Sequence, residues 1–149
     1  MRVEKDYEDF LRLFNKNKVK YLIIGAYAVA FYARPRYTKD IEILVESDIE
    51  NGERIIKALK EFGFKSLKLS AKDFVKKGRI IQLGYEPIRA DIITSIPRAN
   101  FKEMWKNKKR NKYRDEKVFF IGQKDLIKIK KISGREQDKI DVKILTKNP

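Results

Sequence analysis

Asp40 and Glu42 stand one residue apart in Asp40-Ile-Glu-Ile-Leu-Val45, a run that otherwise reads as a β-strand. Side chains alternate across a strand, so both carboxylates share one face while Ile41, Ile43 and Val45 turn to the other, into a core. Two neighbouring carboxylates repel each other unless a cation lies between them, and hard divalent ions such as Mg²⁺ take oxygen ligands. A third carboxylate, Asp91, sits in a second apolar strand, Ile88-Arg-Ala-Asp-Ile-Ile-Thr94. Upstream, Tyr21-Leu-Ile-Ile24 breaks at Gly25 into a small-residue helix. A strand–glycine–helix unit, a paired-carboxylate strand and a single further acid suit metal-assisted phosphoryl transfer. Alone, Asp40 and Glu42 read equally as solvent-facing residues of an edge strand.

The elements that must position these groups follow from periodicity. Tyr7, Phe10, Leu11 and Phe14 form one face of a helix over 6–16. A strand is expected over 20–24, a helix over 25–33, and the carboxylate strand over 39–46. Asp48 is placed to N-cap a helix that ends near Phe62, with Gly63 as its stop. A strand is expected at 64–69, then a short helix over 70–76 with Ser70 and Asp73 as its capping box. Two strands, 79–84 and 88–94, flank Tyr85-Glu-Pro87 as a hairpin. A helix over 100–109 buries Phe101, Met104 and Trp105, a strand covers 117–121, and helices follow at 123–132 and 136–145. Together these predict one α+β domain over residues 1–149, a mixed β-sheet with flanking helices and a basic helical C-terminal end from about 98 to 149.

Composition narrows the chemistry. The 149 residues contain no cysteine and no histidine, which removes disulfides, zinc–thiolate sites, thiol nucleophiles and histidine-based triads. Catalysis therefore falls to carboxylates, hydroxyls, lysine, arginine or a bound metal. No apolar run approaches the roughly 18 residues that span a bilayer, and the N-terminus lacks a secretory core, so a cytoplasmic protein with no membrane partner is expected. Net charge is +15, and residues 98–149 carry 17 basic against 7 acidic side chains. Such a surface concentrates polyanions. Lys106 to Arg114 is its densest part and reads either as a nucleic-acid backbone track with Tyr113 as a stacking platform or as a solvated loop.

The ordered set Gly25-Ala26, Asp40-x-Glu42 and Asp91 resembles the nucleotidyltransferase fold of the DNA polymerase β superfamily. It is most similar to the small stand-alone members found in toxin–antitoxin and abortive-infection systems. The likeness extends through Arg34-Pro-Arg-Tyr-Thr-Lys39, Ile81-Gln-Leu-Gly-Tyr85, Asp125-Leu-Ile127, Lys130, Gly134-Arg135, Asp138 and Asp141. It implies that Asp40 and Glu42 hold Mg²⁺ (or Mn²⁺) on an NTP, that Asp91 shares a second metal and assists the attacking hydroxyl, and that Gly25 and Ala26 receive phosphate at a helix N-terminus. Ala26 stands where a second glycine or a serine is commoner. The resemblance also puts Lys130 and Arg135 near the nucleotide, with Asp138 and Asp141 either beside it or anchoring those two cations. Arg34 and Arg36 suit phosphate by their planar forks, and Thr38 either bonds phosphate or caps the start of the strand. The implied activity is transfer of a nucleoside monophosphate from an NTP to an acceptor hydroxyl, with RNA such as a tRNA end favoured and a partner protein (AMPylation) as the rival acceptor. A non-catalytic nucleotide- or nucleic-acid-binding domain, or an antitoxin, is the alternative on the same fold.

Overall fold

A computed structural model describes residues 2–33, 35, 40–64, 68–85 and 88–148. Its elements, in chain order, are helix α1 (Arg2–Lys16), strand β1 (Tyr21–Ile24), α2 (Gly25–Tyr32), β2 (Asp40–Val45) and α3 (Ile49–Phe62). A single 3₁₀ turn (Ala71–Phe74) leads to the hairpin β3 (Ile80–Tyr85) and β4 (Ile88–Ile93). Then come α4 (Phe101–Lys106), a second hairpin of β5 (Lys109–Tyr113) and β6 (Glu116–Phe120), and helices α5 (Gln123–Ser133) and α6 (Glu136–Thr146). The strands form one mixed sheet in the order β3-β4-β2-β1-β6-β5.

The register of the central strands follows from which side chains can be buried. β2 lies antiparallel to β1 and parallel to β4, with Glu42 opposite both Ile24 and Asp91. Ile41, Ile43, Val45 and Ile92 are wholly buried, so a slip of one residue would expose all of them and bury the acids. Beneath them lie Tyr7, Phe10, Leu11 and Phe14 of α1, with Phe10 edge-on to Phe62 of α3 at 5.6 Å. α3 begins as its sequence predicts, with Asp48 accepting from the Asn51 N–H at 2.7 Å, and it ends at Gly63, whose φ of 122° suits glycine. Asn51 is fully buried, yet every polar atom of its side chain is used. It accepts from the Lys20 N–H and donates to the Lys20 and Glu46 carbonyls, tying the start of β1 to the end of β2.

Other expectations meet the structure less evenly. The hairpin around residues 86 and 87 is present as β3 and β4. The short helix after Ser70 is a single 3₁₀ turn, with the Ser70 N–H donating to Asp73 at 2.8 Å. Of the strand expected at 64–69, residues 65–67 lie outside the described ones, and Phe64, Lys68 and Leu69 carry no regular structure. The stretch from Lys106 to Arg114 is not a loop: α4 stops at Lys106 and Lys109–Tyr113 pairs with β6 as the outermost strand. Tyr113 lies edge-on to Tyr27 of α2 at 5.7 Å, so one side of its ring is already packed. Among the described residues no helix is long and apolar enough to cross a membrane.

Candidate functional site

β1 runs directly into α2, with no residue between Ile24 and the first helical residue, Gly25. That junction needs a φ of +70° at Gly25, and a Cβ there would overlap the Glu42 carboxylate. Glycine is therefore required twice, for the turn and for the acid across from it. The same junction leaves the N–H groups of the first helical turn without intrahelical partners, at the edge of the cavity described below.

The parallel pairing of β2 and β4 brings Asp40, Glu42 and Asp91 to one face, Asp40 in register with Arg89 and Glu42 with Asp91. Arg89 reaches between two of the acids, its Nε 3.7 Å from Asp40 and 3.6 Å from Asp91. Its backbone is held from below by Tyr7, whose hydroxyl donates to the Arg89 carbonyl at 2.8 Å and accepts from its N–H at 3.0 Å. Burial pushes the Glu42 carboxyl above the usual carboxylate range, and the nearby Asp91 adds to it against the opposing pull of Lys130 and Arg135. Asp91 is raised as well, first by burial and then by Asp40, against the Arg89 guanidinium. Its Oδ1 is buried and accepts no hydrogen bond among the described residues. These oxygens fit a hard divalent cation in kind. Among the described residues, however, no three acids are drawn together closely enough to hold an ion as they stand. Arg89 is the cation of that arrangement.

A second set of charges faces the sheet from the C-terminal helices. α5 ends at Ser133, and Gly134 in the left-handed conformation (φ 66°) reverses the chain into α6. That reversal brings Asp138 and Asp141 back onto Lys130. Lys130 is buried, its ammonium 3.1 Å from Asp138 and 2.9 Å from Asp141. Asp138 also accepts from Ser133 and, at 2.9 Å, from Arg135 Nε, while Gln137 donates to Asp141 at 3.0 Å. Burial works against the Asp138 carboxylate, yet its bonds from Ser133, Arg135 and Lys130 hold it below the usual range.

Gly25, Ala26, Asp40, Glu42, Asp91, Lys130 and Arg135 border one cavity of about 350 Å³, together with Gln137, Asp138 and Asp141. Of the remaining residues singled out in the sequence, Arg36 and Thr38 lie outside the described residues, as does Arg34. Sequence reasoning passed over Tyr7 and Gln137. Tyr7 reads from sequence only as one of four core positions on α1, and nothing there distinguishes a phenol that hydrogen-bonds a strand 82 residues away. Gln137 had a weak signal in its spacing, four residues before Asp141 on one helix face.

No protein-family model and no curated protein sequence matches the chain. Among solved structures, it is similar to the lincosamide antibiotic adenylyltransferase LnuA in its lincomycin-bound crystal form. The match has a TM-score of 0.60 and 19% identity, covering 97% of this chain and 97% of that one. The fold is that of a nucleotidyltransferase. At this identity the likeness speaks for the architecture, a six-stranded mixed sheet with helices packed around it, carried over nearly the whole of both chains.

Proposed function

We propose that this nucleotidyltransferase-fold protein transfers a nucleoside monophosphate from an NTP to an acceptor hydroxyl. The observation that carries the reading is the register of Glu42 with Asp91 across parallel strands, which gathers three carboxylates beside the N-terminus of α2. Asp40, Glu42 and Asp91 are the residues that would hold divalent metal. Mg²⁺ or Mn²⁺ there would supply charge neutralisation to the triphosphate. The first-turn N–H groups at Gly25 and Ala26 suit a phosphate oxygen by geometry and dipole alike. Arg135, mostly exposed and hydrogen-bonded to Asp138, is placed to reach the nucleotide. Lys130 is held by two aspartates, and its contribution is the positive field it adds beside Glu42.

In the transfer, the acceptor oxygen bonds to the α-phosphorus as the bond to the β-phosphate bridging oxygen breaks, and pyrophosphate leaves. The hydroxyl proton passes to a carboxylate. Asp91 is the acid to which the family resemblance gives this role, and its carboxyl, like that of Glu42, is raised above its ordinary pKa. The adenylyltransferase activity of the structural neighbour makes ATP the first donor to test. The +15 charge favours RNA, such as a tRNA end, as acceptor, in keeping with the sequence resemblance to toxin–antitoxin members. A protein hydroxyl is the rival, and lincomycin in the neighbour illustrates a small-molecule acceptor.

One observation favours a second reading, a binding domain without turnover. Arg89 already stands between Asp40 and Asp91, where a catalytic metal is otherwise needed. Incubation of the full chain with α-labelled NTPs, total RNA and candidate proteins separates the two. Label moving to an acceptor only with divalent metal, and falling about 10³-fold or more in Asp40→Asn and Asp91→Asn, supports transfer, since metal stabilisation is worth several kcal/mol. Full activity in either variant would refute these roles, and nucleotide binding with no labelled product favours the binding domain.

A further inference from the structure

The carboxylate cavity is one end of a longer groove. It shares Gly25, Glu42, Lys130, Arg135 and Asp138 with a second space of about 340 Å³ that has an apolar side made by Ile80, Ile93, Ile96 and Pro97. Ile80 is 63% exposed there, unusual for so large an aliphatic side chain. That space in turn shares Gly78, Ser95, Ile96 and Pro97 with a larger cavity of about 690 Å³, at the far end of β2 and β4. Asp40 to Glu46 spans this course along β2, roughly 20 Å at strand rise.

The far cavity carries three cations from three separate segments: Lys77, Arg98 and Lys102. None is ion-paired with an acid of the described residues, and all three are exposed. The acid that borders the same cavity, Glu46, is 3.6 Å from Lys20. Two of the three cations are held in place by their backbone. The residues on either side of Lys77 are fastened to the end of β4, the Lys76 carbonyl accepting from Thr94 at 2.6 Å and the Gly78 N–H donating to Ser95 at 2.7 Å. Arg98 occupies the third position of the turn Ile96-Pro-Arg-Ala99, closed by the Ala99 N–H on the Ile96 carbonyl at 3.2 Å. Its φ is +61°, where a turn of this type takes glycine or asparagine. An arginine held in that conformation, without an ion pair among the described residues and at the mouth of a cavity whose bordering acid, Glu46, is engaged by Lys20 and feels Lys102, suits an anion from outside.

We infer that the Lys77–Arg98–Lys102 cavity binds backbone phosphates of a single-stranded oligonucleotide whose terminal hydroxyl lies at the carboxylates. This rests on the nucleotidyl-transfer reading and names its acceptor. An oligonucleotide end matches the groove at all three stations: a hydroxyl at the acids, bases against the apolar side, and linked phosphates at the cations. A polypeptide can also bring a hydroxyl to the acids, but its carboxylates are not linked at the fixed spacing of a phosphate backbone, so the oligonucleotide is the occupant we commit to.

The test is fluorescence anisotropy of a labelled single-stranded decaribonucleotide on the full chain, over a range of salt, with wild type and the variant K77Q/R98G/K102Q. Wild type is expected to bind with a steep salt dependence. The variant should bind at least tenfold more weakly at low salt, with a log–log slope shallower by about 2, near 0.7 for each phosphate that is no longer neutralised. R98G alone relieves the backbone and should raise Tm, so weaker binding cannot be put down to unfolding. ATP-induced thermal stabilisation should be the same in wild type and variant. Unchanged oligonucleotide affinity in the triple variant overturns the inference. So does a parallel loss of ATP stabilisation, which would make the cavity part of the donor site, or displacement of the RNA by polyglutamate at equal charge concentration. Because binding is read directly, failure of Asp40→Asn to abolish transfer would sink the catalytic reading without touching this result.

Discussion

The sheet acids and the helix acids are the same kind of side chain in opposite conditions. Asp138 and Asp141 are buried against a buried lysine, with Ser133, Arg135 and Gln137 completing their hydrogen bonds. Glu42 and Asp91 are also largely withdrawn from water, yet burial drives their pKa upward by more than the nearby cations pull it down, Lys130 and Arg135 for Glu42 and Arg89 for Asp91. The first cluster satisfies itself and acts as a clasp between α5 and α6. The second has three carboxylates against the single guanidinium of Arg89, the electrostatic condition of a site that receives a cation with its ligand.

Three perturbations sharpen or break that contrast. The largest should come from Lys130→Met, which strands two buried carboxylates without their counterion and should cost about 3–5 kcal/mol, read from urea unfolding. A loss under about 1 kcal/mol, the worth of an exposed pair, would mean that the clasp is not held by charge. Gly25→Ala should cost about 1–2 kcal/mol through its positive φ and also displace Glu42. Its signature is a fall in divalent-dependent nucleotide binding larger than that loss of stability accounts for. The smallest effect is in pH dependence, where the two clusters have opposite signs. Glu42 has a folded pKa above its ordinary 4.5, so the stability it lends is present below that value and lost as pH rises through the folded pKa. Asp138 has a folded pKa below its ordinary 3.8, so its contribution is present above that value and lost as pH falls through the folded pKa. Glu42→Gln should therefore raise Tm at neutral pH in the absence of divalent metal, and Asp138→Asn should lower it. Shifts of the same sign in both variants would erase the distinction.

Much of the frame was legible because burial leaves a period in the sequence. Ile41, Ile43 and Val45 alternate as a strand must, the helix α3 carries both its caps, and Glu86-Pro87 separates two apolar runs in the sequence. β5 was not legible for the same physical reason in reverse. As the outer strand it buries almost nothing, so Lys-Arg-Asn-Lys-Tyr has no apolar alternation to detect. The site divides along similar lines. Acids on alternate positions of a strand announce a shared face, but that Glu42 meets Asp91 depends on strand order and register, which are tertiary facts. Arg98 left only a local trace, a proline followed by a non-glycine residue at a tight turn, and its meaning depends on the cavity it borders.

The lysine-rich outer strand has a consequence of its own. β5 is the last strand of the sheet at one side, and although its Lys112 N–H is taken by the Asn111 side chain at 2.7 Å, an outer strand is the border on which a sheet from another molecule could continue. Lys109, Arg110 and Lys112 make like meet like wherever two such borders approach, so growth from one copy to the next is opposed by mutual repulsion. Concentrated salt would mute that repulsion, and there the chain is most exposed to self-association through this border.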